Sequence, residues 1–115
     1  MFDFEKLDVY QKIRSTNVMI LQYLDSAKDL DPYIVDQLRR ASMSVVLNLA
    51  EGVGRRTKPD KRRFINVARS SLFEVVSILQ ILLDMNKMQS DLYKRLYDED
   101  TIISRMLLSL YRSYG

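Results

Sequence analysis

The sequence predicts an all-α protein: one domain over residues 1–115, folded as an up-down-up-down four-helix bundle that assembles as a homo-oligomer. Three observations carry that prediction. Only three glycines and two prolines occur in 115 residues, too little turn material for many short strands. Apolar residues recur at helical spacing in four segments, and no period-two alternation survives beyond a few residues. Each break between segments carries a helix start or stop signal.

The first helix is expected from about Leu7 to Ala27, with Leu7, Tyr10, Ile13, Ile20, Leu21 and Leu24 as its stripe, blurred where Arg14 to Asn17 turns polar. Asp31-Pro32 opens the second, because aspartate caps well and proline fits the first helical position. Gly52 is its natural stop, glycine taking the left-handed conformation past a helix end without strain. Thr57-Lys58-Pro59-Asp60 resembles a capping box and opens the third helix, the longest, expected to reach about Met88. Ser90 is expected to cap the fourth, which runs to Tyr111 or beyond with Leu92, Leu96, Ile103, Leu107 and Leu110 along one side.

Composition removes several functional classes. An apolar content of 47% with 29% charged residues is that of a folded globular chain. No cysteine is present, which excludes disulfides and thiolate metal sites. No histidine is present either, and with it go the usual hydrolytic triad, imidazole-bound metal and a neutral-pH proton shuttle. Glu51 alone is poor equipment for acid–base chemistry, so the expectation is a non-enzyme without cofactor or metal. Gly52-Val53-Gly54 follows a helix and lacks the lysine and hydroxyl of a phosphate cradle. Asp98-Glu99-Asp100 reads as a solvated acidic face. The N-terminus shows no export signal, and the longest apolar-rich run, Val75 to Leu83, is too short to span a bilayer, so a cytoplasmic protein without membrane partners is expected.

The apolar faces are wider than a lone bundle needs. On a helical wheel, Ile34, Ala41, Val45 and Leu49 lie within about 60° of Leu38 and form an adequate core stripe. Val35, Met43, Val46, Leu47 and Ala50 continue the apolar surface beyond it. In the third helix Phe64, Ala68, Leu72, Val75, Leu79 and Leu82 supply the core, Val67, Ile78 and Ile81 form a second patch, and Phe73 stands on a polar side. Large exposed apolar patches are uncommon in monomers. Val35, Met43, Val46, Leu47, Ala50 and Phe73 are therefore the candidate subunit interface, the other reading being an unusually broad monomer core.

Charge is concentrated in one place. Arg55-Arg56-Thr57-Lys58-Pro59-Asp60-Lys61-Arg62-Arg63 holds six of the 18 basic residues and one of the 15 acidic ones, so the net charge of +3 comes from this segment. A cationic segment on a near-neutral body suits a polyanion, because neutralising phosphates releases condensed counterions; it equally suits a solvated loop. Glu51 opposes the dipole at its helix end and calls for a partner, for which Arg55 and Arg56 are in reach. Asn48, Glu51 and Gly52 are read together as a structural corner that gives the basic loop one shape, with Asn48 capping loose backbone groups there. Arg62, Asn66, Arg69 and Phe73 share one side of the third helix. They are suited either to holding phosphates and stacking a base, or to a polar subunit contact. Arg39 and Arg40 extend either surface.

The run from Gln37 to Gly52 and on to Arg55 contains Gln37-Leu38-Arg39-Arg40-Ala41 and Asn48-Leu49-Ala50-Glu51-Gly52. With Phe64-Ile65-Asn66-Val67-Ala68-Arg69-Ser70-Ser71 and the opening Phe4-Glu5-Lys6-Leu7-Asp8-Val9-Tyr10, it resembles the bacterial four-helix-bundle family, also called the 23S rRNA-intervening-sequence protein family. Ser70 stands where that family commonly has glycine. The resemblance implies a bundle that assembles into a ring, most simply a homopentamer. It also implies a distant similarity to the accessory variability determinant of diversity-generating retroelements, a basic barrel that binds nucleic acid and a reverse transcriptase. The function expected is an oligomeric nucleic-acid-binding protein, RNA being favoured, which uses Arg39, Arg40, Arg55, Arg56, Lys58, Lys61, Arg62, Arg63 and Arg69. The alternative is a scaffold docking an acidic protein such as a reverse transcriptase without touching nucleic acid.

Overall fold

Four helices account for nearly all of the chain in the computed structural model, which describes residues 1–115. A short 3-10 turn, Asp3–Lys6, precedes α1 (Asp8–Ser26), α2 (Pro32–Val53), α3 (Lys58–Asp84) and α4 (Ser90–Ser113). Each helix packs on two neighbours in a closed order, α1 on α2, α2 on α3, α3 on α4 and α4 on α1, with α2 and α3 the most intimate pair. The result is a rod of 44 × 24 × 23 Å. The all-α bundle is the one expected.

Local chemistry explains the helix ends. The Asp31 carboxylate accepts a bond from the Tyr33 amide at 2.8 Å, and Pro32 occupies the first turn, where its missing N–H costs nothing. Thr57 Oγ1 accepts from the Asp60 amide at 3.3 Å, which is half of the expected capping box. The reciprocal half is absent because the Asp60 carboxylate turns to Arg55 and Arg63 instead.

Three boundaries differ from expectation. Gly52 does not stop α2: it is helical and buried, α2 continues to Val53, and Gly54 is the cap at φ −82°. The reason for glycine at position 52 is close approach, since a Cβ there would sit 2.9 Å from Phe64 Cβ. Second, α3 ends at Asp84 rather than Met88. Asn86 takes the left-handed conformation (φ 58°), and the Lys87 amide bonds back to the Leu82 carbonyl at 2.9 Å. That closes the helix as glycine usually does, with asparagine in its place. Third, Gln89 rather than Ser90 stands at the cap of α4, and no side chain caps it.

The core holds 18 buried apolar residues, centred on Ile13, Ile20, Leu38, Val45, Leu49, Ile65, Leu72, Leu79, Leu96, Ile103 and Leu107. Ile65 is fully buried where Phe64 was expected to point inward; the Phe64 ring is half-buried beside Gly52. Val35 and Val46 pack partly against their own core, so the apolar excess of α2 narrows to Met43, Leu47 and Ala50. The blurred stretch of α1 resolves as part of a polar layer inside the core. Thr16, Asn17, Ser42, Ser71 and Asp100 are all buried, so every helix contributes a polar group to the interior. Asn17 Nδ2 donates to the Ser42 carbonyl at 2.9 Å, and Thr16 Oγ1 donates to the Lys12 carbonyl at 2.9 Å. By length and composition α3 is apolar enough to cross a membrane, against the expectation from Val75 to Leu83. Its stripe from Ile65 to Leu82 is nevertheless buried in the bundle core.

Candidate nucleic-acid interface

The topology sorts charge to opposite ends of the rod. The start of the chain, the α2–α3 link and the end of α4 share one end, which carries Lys6, Arg55, Arg56, Lys58, Lys61, Arg62, Arg63 and Arg112 against Asp3, Glu5, Asp8, Glu51 and Asp60. The α1–α2 and α3–α4 links share the other, with Asp25, Asp29, Asp31, Asp84 and Asp91 against Lys28 and Lys87. An anionic strand approaching this rod is drawn to the first end.

Most cations there already have partners. Arg55 bridges Asp60 at 2.6 Å and Glu51 at 3.3 Å, so the expected fold-back onto Glu51 is present and Asp60 is its stronger half. Arg63 donates twice to Asp60, at 2.8 and 3.2 Å. Bonds from Arg55 first, then from Arg63, hold the Asp60 carboxyl below the usual range. The two guanidinium groups flank the Phe64 ring at 5.1 and 4.4 Å. Lys61 Nζ donates to the Val53 carbonyl at 2.7 Å and lies 5.3 Å from the Tyr114 ring. Arg62 donates to the Tyr114 carbonyl. Arg56 and Lys58 are exposed and make no hydrogen bond or ion pair. The corner is thus a rigid cationic knot from which two unpaired charges project.

Other predicted residues lie elsewhere. Arg39 pairs with Asp25 at 3.2 Å and Arg40 with Asp36 at 3.1 Å, about 20 Å down α2 from the corner at 1.5 Å per residue. Asn48 does not cap the corner. Its amide donates to the Ser44 carbonyl (2.8 Å) and Ser44 Oγ (3.0 Å), and Ser44 Oγ meets Ser71 Oγ at 2.7 Å, which ties α2 to α3. Arg69 lies farther along α3 on the α4 side, donating to the Ser104 carbonyl at 3.3 Å and stacking 4.9 Å over Phe73.

Beyond Arg69 the seam between α3 and α4 opens into a groove of about 400 Å³. Phe73, Ser77 and Gln80 line one wall, Tyr97, Thr101 and Ser104 the other, and Asp100 also borders it. Asp100 is 2% exposed and neither carboxylate oxygen has a hydrogen-bond partner. Burial, aided by the charge of Glu99, raises its pKa to about 7. The solvated acidic face expected at 98–100 is therefore corrected at its last member. Its periodicity carried the signal, because Leu96, Asp100, Ile103 and Leu107 form one helical stripe.

Residues 5–109 match the model of a family described as 23S rRNA-intervening sequence protein. Among solved structures, the fold is similar to a protein of unknown function from the S23 ribosomal protein family of Bacteroides thetaiotaomicron VPI-5482. The TM-score is 0.80 at 20% identity, over 90% of this chain and 97% of that one. No curated protein matches the sequence.

Proposed function

Since the chain belongs to the 23S rRNA-intervening sequence protein family, we propose that it is a non-enzymatic, oligomeric nucleic-acid-binding protein of the cytoplasm. Its electropositive end engages the phosphates of an RNA strand. The observation that carries this reading is the pair of unpaired cations, Arg56 and Lys58, raised on a corner fixed by Arg55, Asp60 and Arg63. With the corner itself already cross-bonded, only the Arg56 and Lys58 side chains need ordering when a strand binds.

Replacing both Arg56 and Lys58 with alanine is expected to weaken binding to all single strands alike. It should also lower the salt slope by about 0.7 log units per log unit of salt for each phosphate no longer neutralised. Fluorescence anisotropy of labelled RNA and DNA oligomers across a salt series checks this. Wild-type protein that binds neither RNA nor DNA at about 50 mM salt would sink the proposal. A pulldown repeated after nuclease treatment separates it from docking on an acidic protein such as a reverse transcriptase, which survives the nuclease.

Self-association rests on Leu47, 58% exposed, with Met43 at 40% and Ala50 on the same side of α2. Apolar area at about 25 cal/mol per Å² favours covering this stripe with a second copy. A homopentamer is the assembly that we propose. Leu47→Glu is expected to shift light-scattering mass from a multiple of 13.5 kDa to the single-chain value while the helical circular-dichroism signal is retained. A wild-type mass of one chain would overturn it.

A further inference from the structure

We propose that the α3–α4 groove receives an unpaired guanine base of the bound strand, with Asp100 pairing to its Watson–Crick edge. This rests on the nucleic-acid reading above and adds a base preference to it.

The first ground is the groove itself. Its volume of about 400 Å³ is on the scale of small-ligand sites, and two exposed aromatic rings line it, Phe73 from α3 and Tyr97 from α4. Arg69 already covers one face of Phe73, and Tyr97, 43% exposed and tilted against Tyr93 at 5.8 Å, offers the stacking platform. Single-stranded nucleic acids are held by such stacking combined with a cationic track along the backbone. From Arg62 in the basic corner, the same side of α3 leads past Arg69 to the groove, which Arg105 borders on α4. Lys58 to Phe73 is 15 residues, roughly 22 Å of helix, a path for a short extended strand.

The second ground is Asp100. A shielded carboxylate without donors is costly to maintain in a fold. Its side chain lies between the groove and a small internal void lined by Thr16, Asn17 and Ile103, and pairing with a base requires the carboxylate to rotate out into the groove. A carboxylate accepts two parallel bonds best from two adjacent donors. Guanine alone among the common bases presents two adjacent N–H groups on one edge, from N1 and N2. Adenine and cytosine set a single amino group beside an acceptor, and uracil flanks its N–H with two carbonyls that repel a carboxylate. Gln80, Ser77, Thr101 and Ser104 supply donors for the remaining acceptors of the base.

The test is anisotropy at pH 8, where Asp100 is ionised, with labelled oligouridine carrying one central guanosine, adenosine, cytidine or inosine. Wild type is expected to bind the guanosine strand roughly tenfold more tightly than the uridine strand, the size of one good bidentate pair. Inosine, which lacks the 2-amino group, falls between them. Asp100→Asn brings the ratio close to one, and Tyr97→Ala, at an exposed position, lowers affinity for the guanosine strand. Arg56→Ala with Lys58→Ala weakens every strand while the ratio survives. Strands that bind with equal affinity to wild type, or a preference that Asp100→Asn retains, overturn the guanine pocket and leave the electrostatic reading intact. Failure of every strand to bind overturns both.

Discussion

Asp100→Asn is expected to raise stability by about 2–3 kcal/mol more at pH 8 than at pH 5. In the folded protein Asp100 holds its proton up to about pH 7, against an ordinary value of 3.8, because its carboxylate is buried without a donor. Between those two values the native state binds more protons than the unfolded chain, so stability falls as pH rises. The contribution is whole below about pH 4, declines to about pH 7, and is spent above it. A shift of roughly three units corresponds to at most about 4 kcal/mol. Asparagine has the same shape and never ionises. At pH 5 the native acid and the amide bury similar polar atoms, but the unfolded aspartate is already ionised, so about 1–2 kcal/mol of the gain is present there.

Asp60 works in the opposite sense and below this window. Its pKa is lowered by Arg55 and then Arg63, so its pairing stabilises the fold above its ordinary value and is lost in acid. The difference between variant and wild type cancels this term, since the substitution lies away from that corner. Urea midpoints of both proteins from pH 5 to pH 8 provide the measurement. Curves that run parallel over the whole range would mean that ionised Asp100 finds a donor in solution.

Asp100 also shows where the sequence stops being legible. Helix number, order and core stripes follow from spacing alone, because burying an apolar face is a demand on every turn of a bundle helix. The same spacing places Asp100 on the stripe of α4, yet its residue type argues for solvent, and the two signals conflict. Thr16 and Asn17 blur the stripe of α1 for the same reason. At the basic corner, Arg55 with Glu51 is readable because four residues apart on a helix end is a local relation. The bond from Arg69 to the Ser104 carbonyl and that from Arg62 to Tyr114 cross from α3 to α4. Nothing in a single sequence aligns those turns. Asn86 escapes notice because asparagine can close a helix in glycine's place, and composition gives no hint of when it will.

Gly52→Ala is expected to destabilise the fold by about 1–2 kcal/mol, and Gly52→Val by about 3 kcal/mol or more. Alanine in a helix interior is ordinarily favoured over glycine by up to ~1 kcal/mol. Here a methyl group would stand 2.9 Å from Phe64 Cβ, 3.1 Å from Ile65 Cδ1 and 3.3 Å from the Lys61 carbonyl oxygen. Phe64 Cβ is bonded to the α3 backbone and Ile65 is fully buried, so relief requires α3 to move off α2. Overpacking of that kind costs about 1–3 kcal/mol and outweighs the helical gain. Gly54→Ala is the control: its Cβ meets nothing closer than the Glu51 carbonyl oxygen at 3.5 Å, and its φ of −82° suits alanine. The control should melt within a few degrees of wild type, whereas Gly52→Ala melts lower by roughly 4–8 °C per kcal/mol of destabilisation. Because Arg55 and Arg63 rest on the Phe64 ring, moving α3 also loosens the cationic corner. Gly52→Ala should therefore weaken strand binding at temperatures well below its melting point, and Gly54→Ala should not. Equal melting of the two variants would show that the α2–α3 seam yields without cost.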